Sequence, residues 1–266
     1  MNIKITDEKL LSVLEDSTIT TFEFGSSIYE LHNEKSDVDD IAVVANNSFF
    51  ANSFLWEHHT LQRASTERDT IFTTIQLLVR NLMSGDSTAY FEVLHSKQCD
   101  DTILEFLKDR REWFYNFSTI RAFIGYARRD IKHATDSGKR FSHALRCFYS
   151  ALMLYKDNFY SNDLRDYDAN AYQYIKSLKD ETHGMSNKEL HQEIKRFKLM
   201  IDSLRSEVSQ AFNSDRRTLN RYMEPARLAE IDRYVIDINK KHFYDAELHD
   251  VVINDLYEAL ENGIQY

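Results

Sequence analysis

The sequence predicts an α+β fold, with a small mixed β-sheet and helices over residues 1–110 and an all-α region over residues 111–266. Three observations predict it. Runs rich in Thr, Ile, Val and Phe at residues 19–24, 41–44 and 69–73 read as strands, with helical patterns among them. Beyond residue 110, apolar residues recur at alternating steps of three and four, the period of helices with one buried face. One proline and six glycines in 266 residues leave few breaks, which favours long helices over much of the chain.

Taken in order, the strand at 19–24 ends at Gly25, a residue that tolerates unusual backbone angles and close approach of a ligand. Ser27-Ile28-Tyr29-Glu30 has the spacing of a capping box and predicts a helix N-terminus. The next strand opens near Asp37, in Ser36-Asp37-Val38-Asp39-Asp40, and continues through Ile41-Ala42-Val43-Val44. Alternation along a strand predicts Asp37 and Asp39 on one face, Val38 and Asp40 on the other. A third strand is predicted at 69–73, a helix at 74–83, a turn at Ser84-Gly85-Asp86 and a further segment at 89–94. In the helical region, helices are predicted at 111–133, 141–155 and 171–178, with a polar loop at 158–168. Ser186-Asn187-Lys188-Glu189 is a second capping box. It opens a helix whose apolar stripe is Ile194, Phe197, Ile201, Leu204 and Val208. Pro225 opens the next helix, with Leu228, Ile231, Val235 and Ile238 as its stripe, and a last helix is expected at 246–260 before Gly263. No internal repeat, linker or low-complexity tract interrupts these elements.

The order glycine turn, short helix, then a strand opening with carboxylates has a chemical reading. Free backbone N–H groups at Gly25, Ser26 and Ser27 favour an anion such as a triphosphate. Asp37 and Asp39 on one strand face offer oxygen ligands to hard cations. A metal pair about 3.5–4 Å apart can activate an attacking hydroxyl and stabilise a leaving oxygen. An EF-hand is excluded, since Ile41 and Ala42 stand where a ligand and a glycine are needed. Phosphatases and glycosyltransferases with an Asp-x-Asp motif carry the apolar strand before the acids, whereas here it follows them.

These residues, Phe24-Gly25-Ser26 through Ser36-Asp37-Val38-Asp39, resemble the signature of the DNA polymerase β-like nucleotidyltransferase superfamily, and in particular the predicted nucleotidyltransferases of bacteria and large phages. Glu30 departs from that pattern, which has a glycine there. The resemblance implies a nucleotidyltransferase-type sheet in a catalytic domain over 1–110 and a helical domain over 111–266 that closes the cleft. It implies a third metal-binding acid on a later strand, Asp69, with Glu67 as the alternative. It also extends to Lys139, His143 and Arg146, similar to a Lys-x-x-x-His-x-x-Arg helix. Their i, i+4, i+7 spacing gives them one helix face. There they bind the triphosphate or acceptor, or else form an ordinary solvated face.

Composition bounds the partners. A net charge of −10 excludes general affinity for nucleic acid, so any such contact must be local. The conspicuous basic stretch is Arg121, Arg128, Arg129, Lys132, Lys139, Arg140 and Arg146, which suits a polyphosphate or an RNA terminus and equally suits intrachain salt bridges. Cys99 and Cys147 form neither a metal cluster nor a disulfide scaffold, pointing to a reducing cytoplasm. No transmembrane or signal-peptide run is present, and His58-His59 reads as structural or incidental.

The sequence therefore leads to an expected function: an enzyme using Mg²⁺ or Mn²⁺ to transfer a nucleoside monophosphate from an NTP, ATP first, to an acceptor hydroxyl on an RNA end, a protein or a small molecule. The alternatives are a non-catalytic nucleotide-binding regulator or antitoxin-like module, and a sugar-nucleotide glycosyltransferase.

Overall fold

The computed structural model describes residues 2–4, 8–33, 36, 38–45, 60–63, 68–85, 87–96, 102–134, 138–214 and 225–242. Asp37, Glu67, Asp86, Cys99, the His58-His59 pair and the helix expected at 246–260 with Gly263 lie outside these residues.

The strands are β1 (Asn2–Lys4), β2 (Thr18–Phe24), β3 (Val38–Val44), β4 (Thr60–Arg63) and β5 (Arg68–Thr74), in the spatial order β1-β4-β5-β3-β2. The sheet is mixed: β3 runs parallel to β5, β1 runs parallel to β4, and the β2–β3 and β4–β5 pairs are antiparallel. The helices are α1 (Glu8–Asp16), α2 (Ile75–Ser84), α3 (Thr88–Leu94), α4 (Thr102–Asp109), α5 (Phe117–Lys132), α6 (Gly138–Leu152), α7 (Ala169–Lys179), α8 (Asn187–Ser214) and α9 (Pro225–His242). The chain is thus α+β, with every described strand before residue 75 and helices after it. No described helix is long and apolar enough to cross a membrane.

Local chemistry sets the helix ends. The Thr74 side chain accepts from Leu77 N–H at 3.2 Å to start α2, and Gly85, at φ 70, ends it. Asn116 caps α5 by accepting from Thr119 N–H at 2.9 Å. That cap divides the helix expected at 111–133 into a 3₁₀ turn, Arg111–Phe114, and α5. The second capping box forms as expected: Ser186 Oγ accepts from Glu189 N–H, and Glu189 Oε2 accepts from Ser186 N–H at 2.8 Å. The α8 stripe of Ile194, Phe197, Ile201, Leu204 and Val208 is buried. In α9, Ile231 is buried but Leu228 is 38% exposed, so the inward face of that helix is narrower than expected.

The first capping box does not form. Ser27 Oγ donates instead to Phe24 C=O at 3.1 Å, and the expected helix shrinks to one 3₁₀ turn, Ser27–Tyr29. Glu30 leaves the helical region for φ 56, and its carbonyl accepts from Tyr172 Oη–H of α7 at 2.8 Å. The turn therefore keeps the left-handed conformation that glycine favours, though Glu30 occupies it.

A continuous apolar core runs from Phe22 and Ile41 in the sheet through Phe91 and Phe123 to Ile201 in α8. Phe197 of α8 packs edge-on against Phe141 and Phe148 of α6. The start of α6 closely approaches the end of α7, where a Cβ at Gly138 would lie 2.3 Å from the Leu178 carbonyl oxygen. Both sides of that contact are backbone. Gly138→Ala is expected to cost about 1–3 kcal/mol by overpacking, lowering the melting temperature by roughly 3–10 °C. An unchanged melt would show that the two helices separate freely there.

His95 sits in the aromatic part of this core. Its Nδ1–H donates to Phe91 C=O at 2.9 Å, and Nε2 accepts from Tyr115 Oη–H at 3.0 Å. Burial pushes its pKa down to about 3, partly opposed by the bond to Phe91. On acidification the unfolded chain takes up this proton near pH 6.5, the folded chain only near 3. His95 thus withdraws stability as pH falls between those values. Thermal melts at pH 7, 5.5 and 4 are expected to show a steeper acid loss in the wild type than in His95→Gln, and parallel curves would contradict this.

Candidate functional site

A cleft of about 900 Å³ separates the β2–β3 end of the sheet from α5 and α6. Its sheet wall includes Gly25, Ser26, Asp39 and Ile71. Its helical wall includes Tyr126, Arg129, Asp130, Lys139, Arg140, His143 and Arg146, and α3 contributes Thr88, Tyr90 and Glu92.

Asp39 is the second residue of β3, in register with Phe24 of β2 and with Asp69 of β5. Residues in register on parallel neighbours share a sheet face at a strand spacing of about 4.8 Å, so Asp39 and Asp69 stand side by side on adjacent strands. Asp40 turns to the opposite face, where it is 2% exposed and bonded to Arg68. The alternation expected along this strand thus holds for Asp39 and Asp40. Gly25 has φ 74, and a Cβ there would lie 2.6 Å from Asp39 Oδ2. Glycine is needed at this turn both for its backbone angle and to admit the Asp39 carboxylate. Asp69 lies one strand further from the cleft, with Gln62 Nε2–H donating to it over 3.5 Å.

The donor chemistry of Asp39 and Asp69 suits a hard divalent cation. Among the described residues no group of three or more His, Cys, Asp or Glu side chains gathers into a metal site. Asp37, the remaining acid of the expected set, falls outside them.

The opposite wall is a chain of charges. Arg146 Nη1–H donates to Glu92 Oε1 at 2.7 Å, with side chains 9% and 3% exposed, and its guanidinium lies 3.8 Å from the Tyr29 ring centroid. Burial opposes the Arg146 charge most strongly, but Glu92 together with Tyr29, Cys147 and Tyr160 outweighs it, so the guanidinium stays protonated. Arg146 Nη2–H donates to His143 Nε2 at 3.0 Å, which leaves His143 Nδ1–H to donate to Asp130. Burial lowers the His143 pKa, Asp130 opposing this and Arg146 reinforcing it, so His143 is neutral. Burial alone would raise Asp130, but bonds from His143 and Arg129 bring its pKa to about 2. Lys139 and Arg140 are exposed at the cleft rim.

The structure thus brings Gly25, Ser26, Asp39, Lys139, His143 and Arg146 to one cleft. Ser27 lines no part of it, its hydroxyl being bonded to Phe24. The Gly25-Ser26 turn carries no helix dipole, because the helix behind it is a single 3₁₀ turn. His143 has both nitrogens bonded, one to Asp130 and one to Arg146. The partners missed in sequence are Glu92 and Asp130. Glu92 lies 54 residues from Arg146 and Asp130 lies 13 from His143, with no local pattern linking either pair. Cys147 is buried, its thiol pushed up to about 12 by burial, and its Sγ accepts from Arg146 Nη2–H at 3.7 Å. Comparison with protein-family models and with curated proteins finds no match to the chain.

Proposed function

We propose that this protein is a Mg²⁺-dependent nucleotidyltransferase acting from an NTP, with ATP the first candidate, on an acceptor hydroxyl. The observation that carries the reading is the cleft itself, with Gly25, Ser26 and Asp39 facing Lys139 and Arg140. Asp39 and Asp69, with Asp37, would hold Mg²⁺ or Mn²⁺. The ions supply neutralisation of phosphate charge and a lowered pKa for the attacking hydroxyl. Backbone N–H groups of the Gly25-Ser26 turn bind phosphate oxygens, and Lys139 and Arg140 balance the triphosphate charge from the other wall. His143 and Glu92 hold Arg146 in place behind the cleft, its charge balanced by Glu92.

In the transfer, the acceptor oxygen forms a bond to the α-phosphorus. The bond from that phosphorus to the bridging oxygen breaks, and pyrophosphate leaves with its electron pair. The hydroxyl proton passes to a carboxylate of this acid set, of which Asp39 lines the cleft. Catalysis is then positioning and electrostatics with no protein nucleophile. A sugar-nucleotide glycosyltransferase fits less well, because Asp39 opens β3 with the apolar run after it. The test is incubation with α-labelled NTPs and Mg²⁺ against total RNA, protein and metabolite fractions. Label transfer with pyrophosphate release supports the reading. NTP binding without release in every fraction overturns it in favour of a nucleotide-binding regulator.

A further inference from the structure

The cleft differs at its two ends, and α5 sets how far apart they are. At one end Gly85, which closes α2, lies against the first turn of α5, where a Cβ on Gly85 would stand 2.5 Å from the Thr119 nitrogen. Asn81 is one turn before it in α2, its carbonyl accepting from Gly85 N–H at 2.9 Å. At the other end Arg129 and Asp130 of α5 line the cleft with Lys139 and Arg140. Thr119 and Arg129 are about 15 Å apart along the helix, at a rise of about 1.5 Å per residue. Lys179 joins the second end, carried there by the backbone contact of Gly138 with Leu178. Between the ends Arg146 and Glu92 neutralise each other. The first end is lined by Leu77 and Asn81 of α2 and by Ser87, Thr88 and Ala89 at the start of α3, none of them charged. A nucleoside triphosphate has the same asymmetry, anionic at one end and an uncharged heteroaromatic ring at the other.

Asn81 gives the uncharged end a chemical direction. Its Nδ2–H donates to the Leu77 carbonyl at 2.8 Å, and because a carbonyl oxygen only accepts, that bond fixes which amide atom is which. Asn81 Oδ1 accepts no hydrogen bond from the described residues. Asn81 therefore offers the cleft an acceptor. Ser87, at the N-cap of α3, does not spend its hydroxyl on capping that helix. Leu77 and Ala89 add apolar surface beside these polar groups. Apolar walls with a few placed polar groups are what seat a ring and fix its orientation.

We propose that this end of the cleft seats the base of the NTP, and that Asn81 Oδ1 reads it by accepting from an exocyclic amino group. The inference rests on the nucleotidyltransferase reading for placing an NTP in the cleft. Adenine and cytosine present an amino group at the edge where hypoxanthine and uracil present a carbonyl. A carbonyl facing Asn81 Oδ1 sets two acceptors against each other, and neither is satisfied. Asn81 is thus a specificity-determining residue that favours ATP over ITP and CTP over UTP.

The test is isothermal titration calorimetry of the full chain with ATP, ITP, CTP and UTP in Mg²⁺, and with inorganic tripolyphosphate. Each pair differs at the edge that Asn81 meets, so the comparison needs no variant. Wild type is expected to bind ATP at least about ten-fold more tightly than ITP, and CTP than UTP, the scale of one hydrogen bond exchanged for an unpaired polar group. Asn81→Leu is expected to bring both ratios to about two-fold or less, leaving tripolyphosphate affinity and the melting temperature close to wild type. Equal affinity within each pair in wild type overturns the proposal, and so does an Asn81→Leu variant that keeps the wild-type ratios. Pyrophosphate released from all four nucleotides with similar efficiency would overturn it while leaving the transferase reading in place. An amino-over-carbonyl preference with no pyrophosphate release in any acceptor fraction would support the base seat and overturn the transferase reading. Binding of none of the four nucleotides overturns both.

Discussion

Asp39→Asn is expected to lower nucleotidyl transfer by at least about 10³-fold, the scale of losing one preorganised charge contact in a phosphoryl-transfer site. The fold should survive, because Asp39 sits at the cleft and the buried acid of this strand is Asp40. A melt within about 4 °C of wild type is expected, since weakening one hydrogen bond at a half-buried side chain is worth about 1 kcal/mol. Gly25→Ala should reach the same result by another route. The methyl would lie 2.6 Å from Asp39 Oδ2 and the backbone would be held at φ 74. The carboxylate must move, so the variant is expected to need more Mg²⁺ for half its maximal rate, where Asp39→Asn is not rescued by Mg²⁺ at all. Wild-type turnover by Asp39→Asn would reject the assignment of this cleft. A Mg²⁺ requirement unchanged by Gly25→Ala would show that the turn and the carboxylate are not coupled.

Arg146→Met carries the largest expected effect on stability. Removing the guanidinium leaves the Glu92 carboxylate, 3% exposed, without its counter-charge. Breaking a buried pair in this way costs about 3–5 kcal/mol, whereas replacing both partners with apolar residues is often neutral. The single variant should melt roughly 6–20 °C lower than wild type, and Arg146→Met/Glu92→Leu should recover most of that loss. Denaturant unfolding of both variants reads the comparison directly. A double variant no better than the single one would show that the stability came from the Arg146 stack on Tyr29 or its bond to His143.

The sequence carried much of this arrangement, and what it missed has physical reasons. Strands β2, β3 and β5 were legible because each is a run of seven residues rich in β-branched and aromatic types. Strands β1 and β4, of three and four residues, are too short to show a period. Two capping boxes had the same spacing, and only the one at Ser186 forms. At Ser27 a long-range contact decided the outcome, the bond from Tyr172 to Glu30 across 142 residues. The cleft's Gly25, Ser26, Asp39, Lys139, His143 and Arg146 were legible because they sit at a turn, at the start of a strand or on one helix face. Their charge partners were not, because Glu92 and Asp130 are chosen by tertiary packing. The basic stretch proved to be mixed. Arg128, Arg129 and Arg146 bond to Asp202, Asp130 and Glu92, while Lys132 and Lys139 stay exposed.

The apolar cluster that links Phe22 and Ile41 to Phe123 and Ile201, reinforced by Tyr172 on Glu30 and Asn33 on Asp180, bears on how the molecule works as a machine. Jaws that hinge need a seam, and here the opposing walls are grown from the same interior. A chain severed after residue 110 would yield fragments that expose greasy faces and find order again by reassociating with each other.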